Sequence, residues 1–239
     1  MSLVITLFVP EGLVMAADSR LTLEFKVAQQ DGSQKTESIP SSDSTYKVFL
    51  LPHNIGVSAY GAASVGVTPI APLVEVFAAT KLKDVKMPPD KVASELLSYF
   101  RKLEGPPASI FHVAGYKDGT QQVFEANVST NTTKSLITSG AGAAWGGEAD
   151  ALLRLLSKVG TLDQAGNKLT DIQSFGVAFD HFTLQDAIDF AVYAIRTTAD
   201  TMRFQLRRQT VGGPIDLLII RPDGARWLRR KELRVVDDT

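Results

Sequence analysis

The sequence predicts a mixed α+β chain. Two mainly antiparallel sheets stack face to face with helices outside, a four-layer α/β/β/α sandwich forming one domain over 1–239. Three observations predict it. Short apolar runs come in groups joined by Pro and Gly turns, which builds antiparallel sheets. Stretches of helical period separate the groups, so the order is strands, helices, strands, helices, strand, and the helices segregate into layers of their own. No linker divides the 239 residues, and a hydrophobic content of 44% is ample for a shared core.

The elements follow in order. "SLVITLFV" (2–9) and "GLVMAA" (12–17), split by "PEG", read as a hairpin of buried strands. The Ser-rich stretch 26–45 is polar and apolar-poor, and reads as a flexible polar loop or an extended surface hairpin. "YKVFLL" and "IGVSAYG" are two further strands around the turn "PHN". Helical spacing begins at "PIAPLVEVFAATKL". In "PPDKVASELLSYFRKL", Asp90 is the expected cap, and Val92, Leu96, Leu97 and Phe100 make one stripe.

"SIFHVAGY", "TQQVFEAN" and "TKSLITSG" predict three strands, and "GGEADALLRLLSKV" an amphipathic helix. A longer helix over "FTLQDAIDFAVYAIRTTADTMR" opens with Thr183 and, three residues on, Asp186, a capping-box spacing with Asp in place of Glu. "PIDLLIIRPDG" is the last predicted strand. The basic tail "ARWLRRKEL" reads as a solvated face or a subunit contact.

Composition narrows the function. Lys and Arg number 25 against 26 Asp and Glu, a net charge of -1, so nucleic acid is not an expected partner. No apolar run approaches the roughly 20 residues of a membrane span, and no membrane partner is expected. With 0 Cys there are no disulfides, thiol nucleophiles or thiolate metal sites; with no signal-type start either, the cytoplasm is the expected compartment. His53, His112 and His181 stand too far apart for a local zinc pair, and neither metal nor cofactor is expected. A His-based triad stays open, because its members meet only in the fold, although no G-x-S-x-G elbow supports one.

A strand that begins at Ser2 leaves no slack for a tail, which makes the amino terminus a candidate site. "GLVMAADSRLT", "YKVFLL...IGVSAYG" and "TLQDAIDFAVYAI...GGPIDLLIIRPDG" resemble the proteasome β-subunit and HslV family of N-terminal nucleophile hydrolases over nearly the whole length. "TVGGPID" is more similar to the divergent bacterial proteasome-like group called Anbu.

The resemblance implies a peptidase subunit of threonine-peptidase type. Its nucleophile would be Ser2 once Met1 is removed, supported by Asp18 and Lys47, with Arg20 beside the Asp and a Gly61 backbone N–H as oxyanion donor. It also places Leu21, Phe49, Ala59 and Ala63 in the first substrate pocket. It implies a homo-oligomeric ring or spiral, a peptide or unfolded-protein substrate, and an ATP-dependent unfoldase partner; the chain has no Walker motif of its own. The chemistry suits these residue types. A hydroxyl needs a base within reach, and a free α-amine, with an unperturbed pKa of about 7.7–8.0, is well placed near neutral pH.

Each residue also has a bland counterpart: Asp18 paired with Arg20, Lys47 at a solvated strand edge, Gly61 at a bend, and the apolar four in the core. The pattern departs from the family at Ala141, where a supporting Ser is expected beside Ser139, and at Arg208 and Val211, where an Asp and a Ser are expected. These departures keep open a catalytically silent structural subunit, and a non-proteolytic amidase is a second alternative because the same nucleophile attacks any acyl carbon.

Overall fold

The computed structural model describes residues 2–29 and 32–233. Met1 therefore lies outside the described residues. The chain opens with β1 (Leu3–Val9), β2 (Gly12–Ala17), the hairpin β3 (Leu21–Ala28) and β4 (Gln34–Ser42), then β5 (Val48–Leu51) and β6 (Ile55–Gly61). Two short strands, β7 (Ser64–Val65) and β8 (Thr68–Pro69), lead into α1 (Ile70–Phe77), which runs on as a π turn over Ala78–Leu82, and α2 (Pro89–Arg101). After them come β9 (Ser109–Lys117), β10 (Thr120–Asn127), β11 (Thr132–Ser135), β12 (Gly142–Gly147) and α3 (Asp150–Leu156). A small hairpin of β13 (Gly160–Leu162) and β14 (Lys168–Asp171) precedes α4 (Leu184–Arg203), and β15 (Asp216–Arg221) and β16 (Gly224–Arg229) close the described chain.

Two five-stranded sheets, ordered β12-β1-β2-β15-β16 and β11-β10-β9-β6-β5, carry the fold, and every strand pair in them is antiparallel. All seven residues of β1 are buried. Its alternation explains why: Leu3, Ile5, Leu7 and Val9 pack with Ala187, Ile188, Ala191 and Ile195 of α4, while Val4 and Phe8 meet Val48, Ala114 and Val123 of the other sheet. A third core joins β5, β6 and β9 to α1 and α2 through Phe77, Leu96, Phe100 and Phe111. Among the described residues no helix is long and apolar enough to cross a membrane.

Of the two readings of 26–45, the structure shows the hairpin over most of the stretch and not the flexible loop: β3 and β4 pair from Leu21↔Ser42 to Ala28↔Gln34, although residues 30 and 31 lie outside the description. Other expectations are corrected. The tail "ARWLRRKEL" supplies an edge strand, because β16 pairs with β15 through Leu218↔Trp227 and Ile220↔Ala225. Of "TKSLITSG" only the start is strand. "GAAWGG", which lacks an apolar alternation, is β12, the outer neighbour of β1. Asp90 does not cap α2; Pro88 stands at that position and Pro89 opens the helix, where a missing N–H costs nothing. The Thr183 capping box does form, with Asp186 N–H donating to Thr183 Oγ1 at 3.2 Å and Thr183 N–H to Asp186 Oδ2 at 2.8 Å.

Candidate active site

The β1–β2 hairpin makes the first contact of the site. Its register pairs Val4 with Ala17, which leaves Asp18 beside the start of β1. Leu3 N–H donates to Asp18 Oδ1 at 3.0 Å, and Asp18 N–H returns a bond to Leu3 O at 3.3 Å. The carboxylate also accepts from Arg20 N–H and Gly212 N–H at 3.1 Å each. Lys47, just ahead of β5, donates from Nζ to Asp18 Oδ1 and to Arg20 O, both at 2.7 Å.

Asp18 and Lys47 are 1% and 5% exposed, so the pair is dry. Burial pulls the Lys47 pKa below its ordinary value, and Asp18 opposes that pull. The Arg20 side chain points elsewhere. It forms a fork with Asp43 at 2.7 and 2.8 Å and donates to Gln209 O at 3.3 Å, so Arg20 joins this cluster through its backbone. That fork raises the guanidinium pKa and lowers that of Asp43.

Ser2 is held by its main chain. Its carbonyl accepts from Glu148 N–H at 2.8 Å, in the turn that follows β12. Gly147 enters that turn at φ +95°, and a Cβ there would stand 1.7 Å from Ser2 O, so no other residue fits without moving the strand start. Ser2, Lys47, Leu21, Ala59, Gly61 and Ala63 all line one pocket. Gly61 ends β6 at φ +89°, where a Cβ would meet Ala108 O at 2.4 Å. Phe49 does not line the pocket. It is 5% exposed and packs in the helix-side core with Ala59 and Ile70.

A second concavity also borders Ser2. Tyr60, Gly61, Gly147, Glu148 and Leu153 line it with Ser2. Arg207 steadies its rim through Asp150 at 2.9 Å and Glu148 at 3.5 Å.

Register relocates one expected position. Gly142 pairs with Phe8 and Gly147 with Leu3, so Ala141 sits at the far end of β12 from Ser2, its N–H on Asp180 Oδ1 at 2.9 Å. The turn beside Ser2 is 146–148. Val211 is fully buried in the core beneath α4, and Arg208 is exposed; the neighbouring Gly212 reaches the cluster through its backbone. Sequence reasoning missed Gly147, Glu148, Gly212 and Tyr60. The paired glycines at 146–147 and 212–213 were the available signal.

No protein-family model and no curated protein matches the chain. Among solved structures, the chain is similar to an Anbu Gly-1 mutant from Hyphomicrobium sp. strain MC1. The likeness has a TM-score of 0.62 at 16% sequence identity and covers 100% of this chain and 89% of that one. At that identity the likeness speaks for fold: the chain has the fold of Anbu, as the resemblance of "TVGGPID" implied.

Proposed function

We propose that the chain is an N-terminal nucleophile hydrolase with Ser2 as nucleophile, acting on peptide bonds. One observation carries the reading: Ser2 borders an apolar pocket together with Lys47 and Gly61, and Lys47 is locked to Asp18, which holds the adjacent Leu3 N–H. A buried lysine held by Asp18 and the Arg20 carbonyl, and lining the same pocket as the Ser2 hydroxyl, supplies fixed positive charge where an alkoxide develops.

Removal of Met1 frees the Ser2 α-amine to act as base. It takes the Oγ proton as Oγ bonds to the acyl carbon, and the Gly61 N–H donates to the developing oxyanion. The C–N bond then breaks, and the departing amine leaves with the proton. Water attacks the acyl ester by the same base, and the acid product and Ser2 are restored. Leu21, Ala59 and Ala63 form the acyl-side wall of the pocket, small enough to admit an apolar side chain.

The three cores support a helix, sheet, sheet, helix stacking, the α/β/β/α sandwich that goes with this chemistry. Cytoplasmic residence, self-association into a ring or spiral, and an unfoldase partner belong to the same reading. A second reading, a silent structural subunit, is favoured by one observation: Val211 is buried in apolar core, so that position offers Ser2 no polar support.

Intact mass after incubation with a β-lactone separates the two. Loss of Met1 and a single adduct mapping to Ser2, absent in Ser2→Ala, is the expected result. Retained Met1 with no adduct would establish the silent subunit instead.

A further inference from the structure

Three residues border both concavities beside the start of β1: Ser2, Tyr60 and Gly61. Tyr60 is the bulky one, and its ring is fixed from three directions. It lies against Gly146 of β12, where a Cβ would stand 2.3 Å from Tyr60 Cζ. It meets the buried His112 ring edge-on, with centroids 5.3 Å apart and planes at 76°. Its hydroxyl donates to Glu125 Oε2 at 3.0 Å, and Glu125 is paired with Lys134 at 2.9 Å. Burial and then Glu125 push the phenol pKa up, so it stays a donor. Behind it, His112 Nδ1 shares a bond with Thr6 Oγ1 at 3.1 Å.

We infer that Tyr60 is a specificity-determining partition, a rigid wall that keeps the acyl-side chain of a peptide-like substrate in the apolar pocket and out of the leaving-group concavity. The inference rests on Ser2 being the nucleophile. A side chain pinned by a ring contact, a hydrogen bond and a glycine cannot swing aside for a larger group, so it discriminates by shape. The wall is shared between the sheets: β6 supplies the ring, and β12 supplies the glycine that lets it stand there.

The test compares two β-lactones, one with a small and one with a bulky acyl-side substituent, on wild type, Tyr60→Leu, Tyr60→Phe and Gly146→Ala. In each labelling event Ser2 Oγ bonds the lactone carbonyl, the ring C–O bond breaks, and the serine proton ends on the released alkoxide. The adduct therefore carries the whole reagent mass. The ratio of bulky to small labelling rates is expected to rise about tenfold in Tyr60→Leu and to stay within about twofold in Tyr60→Phe. In Gly146→Ala the added methyl pushes the ring toward the concavities, and the ratio falls.

An unchanged ratio in Tyr60→Leu with the label still on Ser2 overturns the partition and leaves the nucleophile standing. If Tyr60→Leu does not fold, an unchanged ratio in folded Gly146→Ala overturns it equally. Wild type that has lost Met1 yet takes no label at Ser2 overturns the nucleophile reading and the partition with it.

Discussion

Two buried lysine–aspartate pairs stand near one another, and they differ in what surrounds the carboxylate. Asp18 collects four donors from four parts of the chain: Leu3, Arg20, Gly212 and Lys47. Asp216, opposite Ala17 in the same sheet, takes both its bonds from a single residue, Lys231, through backbone N–H at 2.7 Å and through Nζ. Lys47 lines the pocket with Ser2, whereas Lys231 lies under the Tyr46 ring, 4.4 Å from its centroid. Burial lowers the pKa of both lysines, each opposed by its aspartate. If Ser2 is the nucleophile, a dry ion pair is by itself no marker of the site. The convergence of distant segments on one carboxylate beside a cavity is the better one.

Lys47→Met offers the largest expected effect. Turnover should fall on the order of 10²–10⁴-fold, the range for a group acting on the reacting atoms. Stability should also drop by about 3–5 kcal/mol, because Asp18 is left buried without its partner. Lys231→Met should cost a similar 3–5 kcal/mol in urea unfolding, yet the labelling rate per folded molecule should stay within about threefold, since Lys231 lies outside the contacts of Ser2. Equal losses of activity in the two variants would erase the contrast.

His112 sharpens it from the neutral side. Burial pushes its pKa down from 6.5 to about 4, so between these values the unfolded chain binds a proton that the folded one refuses. Stability is full above pH 6.5 and declines as pH falls toward 4, by on the order of 3 kcal/mol in all. His112→Gln should flatten that slope in unfolding midpoints measured across the range. The smallest effect belongs to the half-exposed Arg20–Asp43 fork: Asp43→Asn should cost less than about 1 kcal/mol, a difference that shrinks in high salt.

How much was legible depended on whether one local pattern sufficed. The β1–β2 hairpin, the α4 capping box and β15 each carry their signal within a few residues, and Asp18 and Lys47 fall where strand ends meet. β12 was hidden because "GAAWGG" owes its strand state to pairing with β1, more than 130 residues away, and not to propensity. β16 was hidden by its arginines, which an edge strand tolerates and a tail also favours. Phe49 in β5 follows Lys47 by two residues, so alternation alone could not tell pocket wall from core beneath it. Tyr60 gave no signal, since its meaning lies in Gly146 across the sheet interface.

The place of β1 inside its sheet has a consequence for how the chain reaches its fold. β1 pairs with β2 almost at once, but its other edge waits for β12, and β2 waits for β15. During synthesis the apolar Leu3–Val9 run has an open row of backbone donors and acceptors for most of the chain's length. Such long-range closure makes folding slow and leaves the half-built sheet exposed to pairing with other chains. The residues that would carry the chemistry sit at this waiting edge and are among the last to be locked in position, once β12 and β15 have paired.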